Sequence, residues 1–97
     1  MKIYISGAIT GTTDYEERFA EAEEKLKAAG YEVINPAKVG KMLPENTTHE
    51  EYMKMSFALM DICEAVYFMP GWQQSRGANQ EYGYAIAKSM ARYFCCE

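Results

Sequence analysis

Histidine is almost missing from this chain, and the scarcity narrows the chemistry at once. His49 stands alone, beside three cysteines, Cys63, Cys95 and Cys96. A zinc site wants paired ligand spacings and usually more histidine, so no metal and no cofactor is expected. An odd number of cysteines, two of them adjacent, fits reduced thiols in a cytoplasmic protein better than a disulfide framework. Basic residues are outnumbered, with 10 Lys and Arg against 14 Asp and Glu and a net charge of −4, and they form no stripe. That excludes a nucleic-acid polymer as partner, because such binders cluster cations against phosphates. A small nucleotide stays possible, since backbone N–H groups at loops and helix ends can hold one phosphate. No apolar run nears membrane-spanning length, and Met1-Lys2 leads straight into a strand, so neither a membrane segment nor a signal peptide is expected. The P-loop and the dinucleotide fingerprint are missing too. Gly7-Ala8-Ile9-Thr10-Gly11 spaces its glycines four apart and has no following Lys-Ser/Thr pair. Nicotinamide cofactors and nucleoside triphosphate hydrolysis are poor fits, and a tight turn that needs glycine explains this loop by itself.

What is present reads as one globular domain over residues 1–97, with 48% hydrophobic and 25% charged residues. Lys2 to Ser6 is a β-branched and aromatic run that enters a glycine-containing turn. A helix follows from Asp14, with Glu17 completing a capping box. Its apolar residues Tyr15, Phe19, Ala22, Leu26 and Ala29 step by four and three, and Gly30 ends it. Tyr31 to Ile34 forms a second strand that Asn35-Pro36 stops, and 37–47 reads as a loop. Thr48 and Glu51 make another capping box, opening a helix whose stripe is Tyr52, Met55, Leu59 and Ile62. Ala65 to Met69 is a continuous apolar strand. A loop from Pro70 to Arg76, a helix from about Gly77 to Ser89 and a strand from Ala91 to Cys95 complete the chain.

This alternation predicts a three-layer α/β/α sandwich around a four-stranded, mostly parallel sheet of the flavodoxin or Rossmann-like type. Ligands bind such sheets outside the carboxyl ends of the strands. The segments leaving those ends are Ser6 to Thr13, Asn35-Pro36 and Pro70 to Glu81. A small parallel-sheet protein rich in Tyr and Met has apolar surface left over, so a homo-oligomer is expected.

Within those segments the last is the most informative. Trp72 follows Pro70-Gly71 at a strand exit, where an indole has no evident folding purpose; it could stack on a base or fill a subunit interface. Ser75 and Gly77 put a hydroxyl and bare backbone at a helix start, a place that favours anions, although Ser75 could equally be a cap. Glu81 falls in the first turns of that helix. The dipole alone would explain a glutamate there, and a functional one would be ionised and able to attack an electrophilic carbon.

Taken together, Ile3 to Gly11, Asn35-Pro36, and the stretch Pro70-Gly71-Trp72-x-x-Ser75-x-Gly77-Ala78-x-x-Glu81 resemble the nucleoside 2-deoxyribosyltransferase superfamily, in particular its small bacterial and phage branch. The resemblance covers nearly the whole chain. It implies that Glu81 attacks C1′ of a deoxyribose, displacing the base to form a glycosyl-enzyme that water or a second base resolves. It makes Tyr4 the residue that orients the carboxylate, and Ser6, Gly7, Ile9, Gly11, Asn35 and Pro36 parts of the pocket. Gly71, Trp72, Ser75, Gly77 and Ala78 line it from the other loop. Where the transferases bind the sugar 5′-hydroxyl with an aspartate, this chain has Ser75, as do related deoxynucleoside 5′-monophosphate hydrolases. A neutral hydroxyl tolerates a 5′-phosphate that a carboxylate would repel.

One position departs from the family. A second family aspartate falls about where Ser56 stands, and a serine is no general acid at neutral pH. Asp61, five residues on, lies roughly 140° further round the helix, and Glu64 occupies another usually acidic position. Two functions follow as expectations: N-glycosidic cleavage or transfer on a nucleoside 5′-monophosphate, or a non-catalytic module that senses or sequesters a nucleotide.

Overall fold

Alternation along the first strand, β1 (Lys2–Ser6), decides what each neighbouring helix covers. Ile3 and Ile5 point to one face, where they pack with Phe19, Ala22 and Leu26 of α1 (Tyr15–Ala28) and with Ala37 of α2 (Pro36–Gly40). Tyr4 points the other way. It packs with Val66 and Phe68 of β3 (Ala65–Phe68), Met60 of α3 (His49–Asp61) and Ala85 of α4 (Arg76–Ala87). Helices therefore flank both faces of the sheet. With β2 (Glu32–Ile34) and β4 (Ala91–Phe94) the order is β2-β1-β3-β4, and every pairing is parallel. The expected mostly parallel sheet is fully parallel, in an α/β, Rossmann-like fold. The computed structural model describes residues 1–9 and 12–95. No helix among them is long and apolar enough to cross a membrane.

Several local expectations need correction. Asp14 does precede α1, but it forms no capping box with Glu17. Its φ of −112° and ψ of 15° are not the extended geometry a cap requires, and its carboxylate takes Nε of Arg18 at 3.2 Å instead. The C-terminus behaves as read, with the Tyr31 N–H donating back to the Leu26 carbonyl across Gly30. Part of the expected loop 37–47 is helical, because Asn35 Oδ1 accepts the Ala37 N–H at 3.0 Å and Pro36 sits at the first helical position. Asn-Pro thus ends a strand and starts a helix in the same two residues.

The Thr48–Glu51 capping box closes in both directions, at 3.1 and 2.8 Å. The buried face of α3, however, is Met53, Ser56 and Met60 rather than Tyr52, Met55, Leu59 and Ile62. Met53, Phe57 and Met60 also step by four and three, so the pattern admits two stripes and packing chooses between them. Helix α4 starts at Arg76 and stops at Ala87, before Ser89, whose φ of 56° leaves the helical region. Strands two to four are each one residue shorter than expected.

Candidate functional site

Residues two apart on a strand share a face, so Tyr4 and Ser6 both look toward α4. Glu81, in the second turn of that helix, comes down to meet them. Tyr4 Oη donates to Glu81 Oε2 at 2.6 Å, and Ser6 Oγ donates to Oε1 at 2.6 Å. The trio is buried, with Glu81 6% exposed, Ser6 1% and Tyr4 0%. Ser56 of α3, also buried, adds a third hydroxyl beside Tyr4 and Glu81.

Burial pushes the Glu81 carboxyl above the ordinary carboxylate range. Hydrogen bonds from Ser6, Tyr4 and Ser56, and the positive charge that His49 can carry, pull the other way without reversing the shift. Burial, then the nearby Glu81 charge, pushes the Tyr4 phenol well above its usual value. Tyr4 therefore remains a protonated donor throughout the physiological range.

Above the carboxylate lies a cavity of about 790 Å³ at the carboxyl ends of the strands. It sits by the switch point between β1 and β3, from which the sheet grows in opposite directions. Gly7, Ala8 and Ile9 enter it from the end of β1, Pro36 and Ala37 from the end of β2, and Gln74 to Ala78 from beyond β3. A Cβ on Gly7 would come within 2.3 Å of Met69 Cε and 3.3 Å of Met69 Cβ, so the Met69 side chain would have to shift to admit it. Gly77 has no such conflict. A methyl on it would meet only ordinary contacts, the nearest being Met53 Sδ at 3.5 Å.

Of the expected site residues, Tyr4, Gly7, Ile9, Pro36, Ser56, Ser75, Gly77, Ala78 and Glu81 are brought to this one cavity. Ser6 lies underneath, its hydroxyl donating to Glu81 Oε1. Ser75 caps α4 through the Ala78 N–H at 3.1 Å, so the capping reading of that residue holds. Asn35 does not line the cavity. It is buried behind it, capping α2 and donating to Glu23 Oε1 at 3.0 Å. Thr10, Gly11 and Cys96 lie outside the described residues. Asp61 faces away, accepting from Tyr84 Oη at 2.6 Å, and Glu64 accepts the Lys2 N–H at 2.8 Å.

Gly71 and Trp72 do not join the group. They line a separate cavity of about 610 Å³ with Phe68, Phe94 and Cys95. The indole has a folding purpose after all, because its ring packs 5.0 Å from Phe68, 5.0 Å from Tyr82 and 5.7 Å from Phe94. Gly71 takes a φ of 83° to open the 3₁₀ turn Trp72–Gln74, a conformation suited to glycine.

The cavity also holds residues that the sequence reading left out: Tyr15, Lys41, Glu45, His49, Tyr52 and Arg76. Lys41 is tied to Glu16 at 2.7 Å. The His49 ring is anchored through Nε2 to Gln80 Oε1 at 2.7 Å. One signal for His49 was available, since the Thr48 cap puts it at the first position of α3, whereas its partner Gln80 is brought to it by the fold. Comparison with curated proteins and with solved structures returns no match. The model of the family described as Domain of unknown function (DUF4406) matches residues 1–92. The chain belongs to that family.

Proposed function

We propose that this protein binds a nucleoside 5′-monophosphate in the 790 Å³ cavity and cleaves or transfers its N-glycosidic bond, with Glu81 as nucleophile. The observation that carries the reading is the Glu81 carboxylate, buried at the cavity floor and held at both oxygens by neutral hydroxyls, Tyr4 and Ser6. Among the described residues no lysine or arginine forms an ion pair with it. A carboxylate so held is fixed in orientation and keeps its electrons for a carbon electrophile. The resemblance to nucleoside 2-deoxyribosyltransferases supplies the reaction: Glu81 attacks C1′, the base departs, and water or a second base resolves the ester with retention. The α4 start supports a phosphate nearby, with Arg76 and the bare backbone of Gly77 on the cavity wall.

A second reading, binding without turnover, draws on Ser56, a hydroxyl where the resembled enzymes have an aspartate. One experiment separates the two. The protein is incubated with a panel of deoxynucleosides and their 5′-monophosphates, free base is followed by chromatography, and Glu81→Gln is run alongside. Catalysis predicts base release from monophosphates that the substitution abolishes. Tight binding with no release from any member, unchanged in Glu81→Gln, would establish the second reading instead.

A further inference from the structure

Departure of a base from C1′ leaves an electron pair on a ring nitrogen, and that anion needs a proton. Ser56 cannot supply one at neutral pH. The other titratable groups around the cavity are Tyr4, Tyr15, Lys41, Glu45, His49, Tyr52 and Arg76, besides Glu81 itself. Tyr4 is committed to Glu81 and holds its proton far above neutrality. Lys41 is bound to Glu16, an ion pair that keeps its ammonium charged. Arginine does not deprotonate in proteins, and phenols keep their protons near neutral pH. Glu45 is exposed at the rim, in the loop before α3. That leaves an imidazole, the side chain suited to giving and retaking a proton in this range.

His49 is also placed for the task. It is half-buried at the first position of α3, with ring Cε1 3.7 Å from where a Cβ on Gly77 would stand. Gln80 Oε1 holds Nε2 at 2.7 Å, which assigns the Nε2 proton to that bond and leaves Nδ1 to exchange a proton with a ligand. Gln80 adjoins Glu81 in sequence, so one turn of α4 carries both the nucleophile and the anchor of the ring.

We propose that His49 is the general acid and base of the reaction assigned above to Glu81, on which this inference rests. In the first half-reaction a Glu81 oxygen bonds to C1′ as the C1′–N bond breaks. The bonding pair goes to the base, and the Nδ1 proton of imidazolium passes to the departing ring nitrogen. In the second half a water oxygen bonds to C1′ and the ester pair returns to Glu81. The water proton goes to neutral Nδ1, which restores the imidazolium. No outside oxidant or further reactant enters.

The test compares two substrates of wild type and His49→Asn. 2′-Deoxyguanosine 5′-monophosphate needs a proton on its leaving base, whereas the 7-methylated nucleotide, already cationic, releases a neutral base without one. His49→Asn is expected to lose about 100-fold or more in base release from the first substrate, while staying within a few-fold of wild type on the second. Added imidazole should restore part of the first rate, and thermal melting checks that the variant is folded. Equal losses on both substrates, or no loss on either, would overturn the general-acid role while leaving Glu81 as nucleophile. No base release by wild type from either nucleotide would overturn both readings together.

Discussion

Glu23 and Glu81 are each only 6% exposed, although Glu81 lies much deeper in the protein, and burial opposes ionisation in both. Their titrations nevertheless move in opposite directions. Glu23 lies on α1 against the α2 cap and is surrounded by donors: two cations, Lys27 at 2.7 Å and Lys38 at 3.0 Å, and the neutral amide of Asn35. Those donors outweigh burial and hold its carboxyl down at about 2. Among the described residues Glu81 is hydrogen-bonded by hydroxyls and lies in no ion pair, and its carboxyl is raised. Partners and depth together decide the outcome. A carboxylate neutralised by two lysines is a structural clamp on α1 and α2. One held by neutral donors at a cavity floor keeps its charge available, at some expense of stability.

Exchanging the carboxylates for amides should separate these roles. The largest effect is expected from Glu81→Gln, which should lower base release by at least about 1,000-fold, the scale of losing a nucleophile. Its melting temperature at pH 7 should equal or exceed that of wild type, because a buried charge outside any ion pair is removed. Glu23→Gln should do the reverse. Loss of the carboxylate weakens the bond from the buried Asn35 amide, so denaturant unfolding should show about 1–3 kcal/mol less stability, with turnover per folded molecule unchanged.

The pH dependence sharpens the contrast, since the two linkages have opposite signs. The depressed Glu23 contributes stability above its ordinary value of 4.5, and that contribution is lost as pH falls toward about 2. The stability gap between wild type and Glu23→Gln should therefore narrow across that window. For Glu81 the raised folded value favours the protonated form, so its contribution is present below 4.5 and is lost as pH rises through the raised value. Unfolding of wild type and both variants measured against pH would break the comparison if the two differences from wild type changed with pH in the same direction. Activity gives a second view of the same shift, because only ionised Glu81 attacks. Tyr4→Phe removes a donor to the carboxylate, and its acid limb should move to higher pH than that of wild type, read from a pH–rate profile. The smallest effects belong to Lys27→Ala and Lys38→Ala. Both lysines are more than half exposed, and each should shift stability by about 0.5 kcal/mol or less in the same unfolding assay.

Much of the architecture is legible in the sequence because its signals are local. The β-branched run 2–6, the Thr48–Glu51 box and the apolar run from Ala65 place elements without tertiary help. The all-parallel sheet then puts the cavity where the loops after β1, β2 and β3 meet. The misses occur where one local signal supports two structures. Asn35-Pro36 stops a strand and starts α2, and α3 carries two apolar stripes. Trp72 at a strand exit could not be assigned from sequence, because its partners Phe68, Tyr82 and Phe94 come from three different elements. The site was half visible for a similar reason. Period two puts Tyr4 and Ser6 on one face, yet only packing brings Glu81 to both, and His49 joins them through a contact 31 residues away.

The most direct test of Glu81 as the reacting carboxylate is a covalent trap. A 2-fluoro-arabinosyl nucleoside 5′-monophosphate, which slows breakdown of a glycosyl-enzyme, is incubated with the protein and the digest is read by mass spectrometry. The predicted result is one fluoroarabinosyl phosphate adduct on the peptide containing Glu81, absent in Glu81→Gln. Base release with no adduct, or an adduct on another residue, would contradict it.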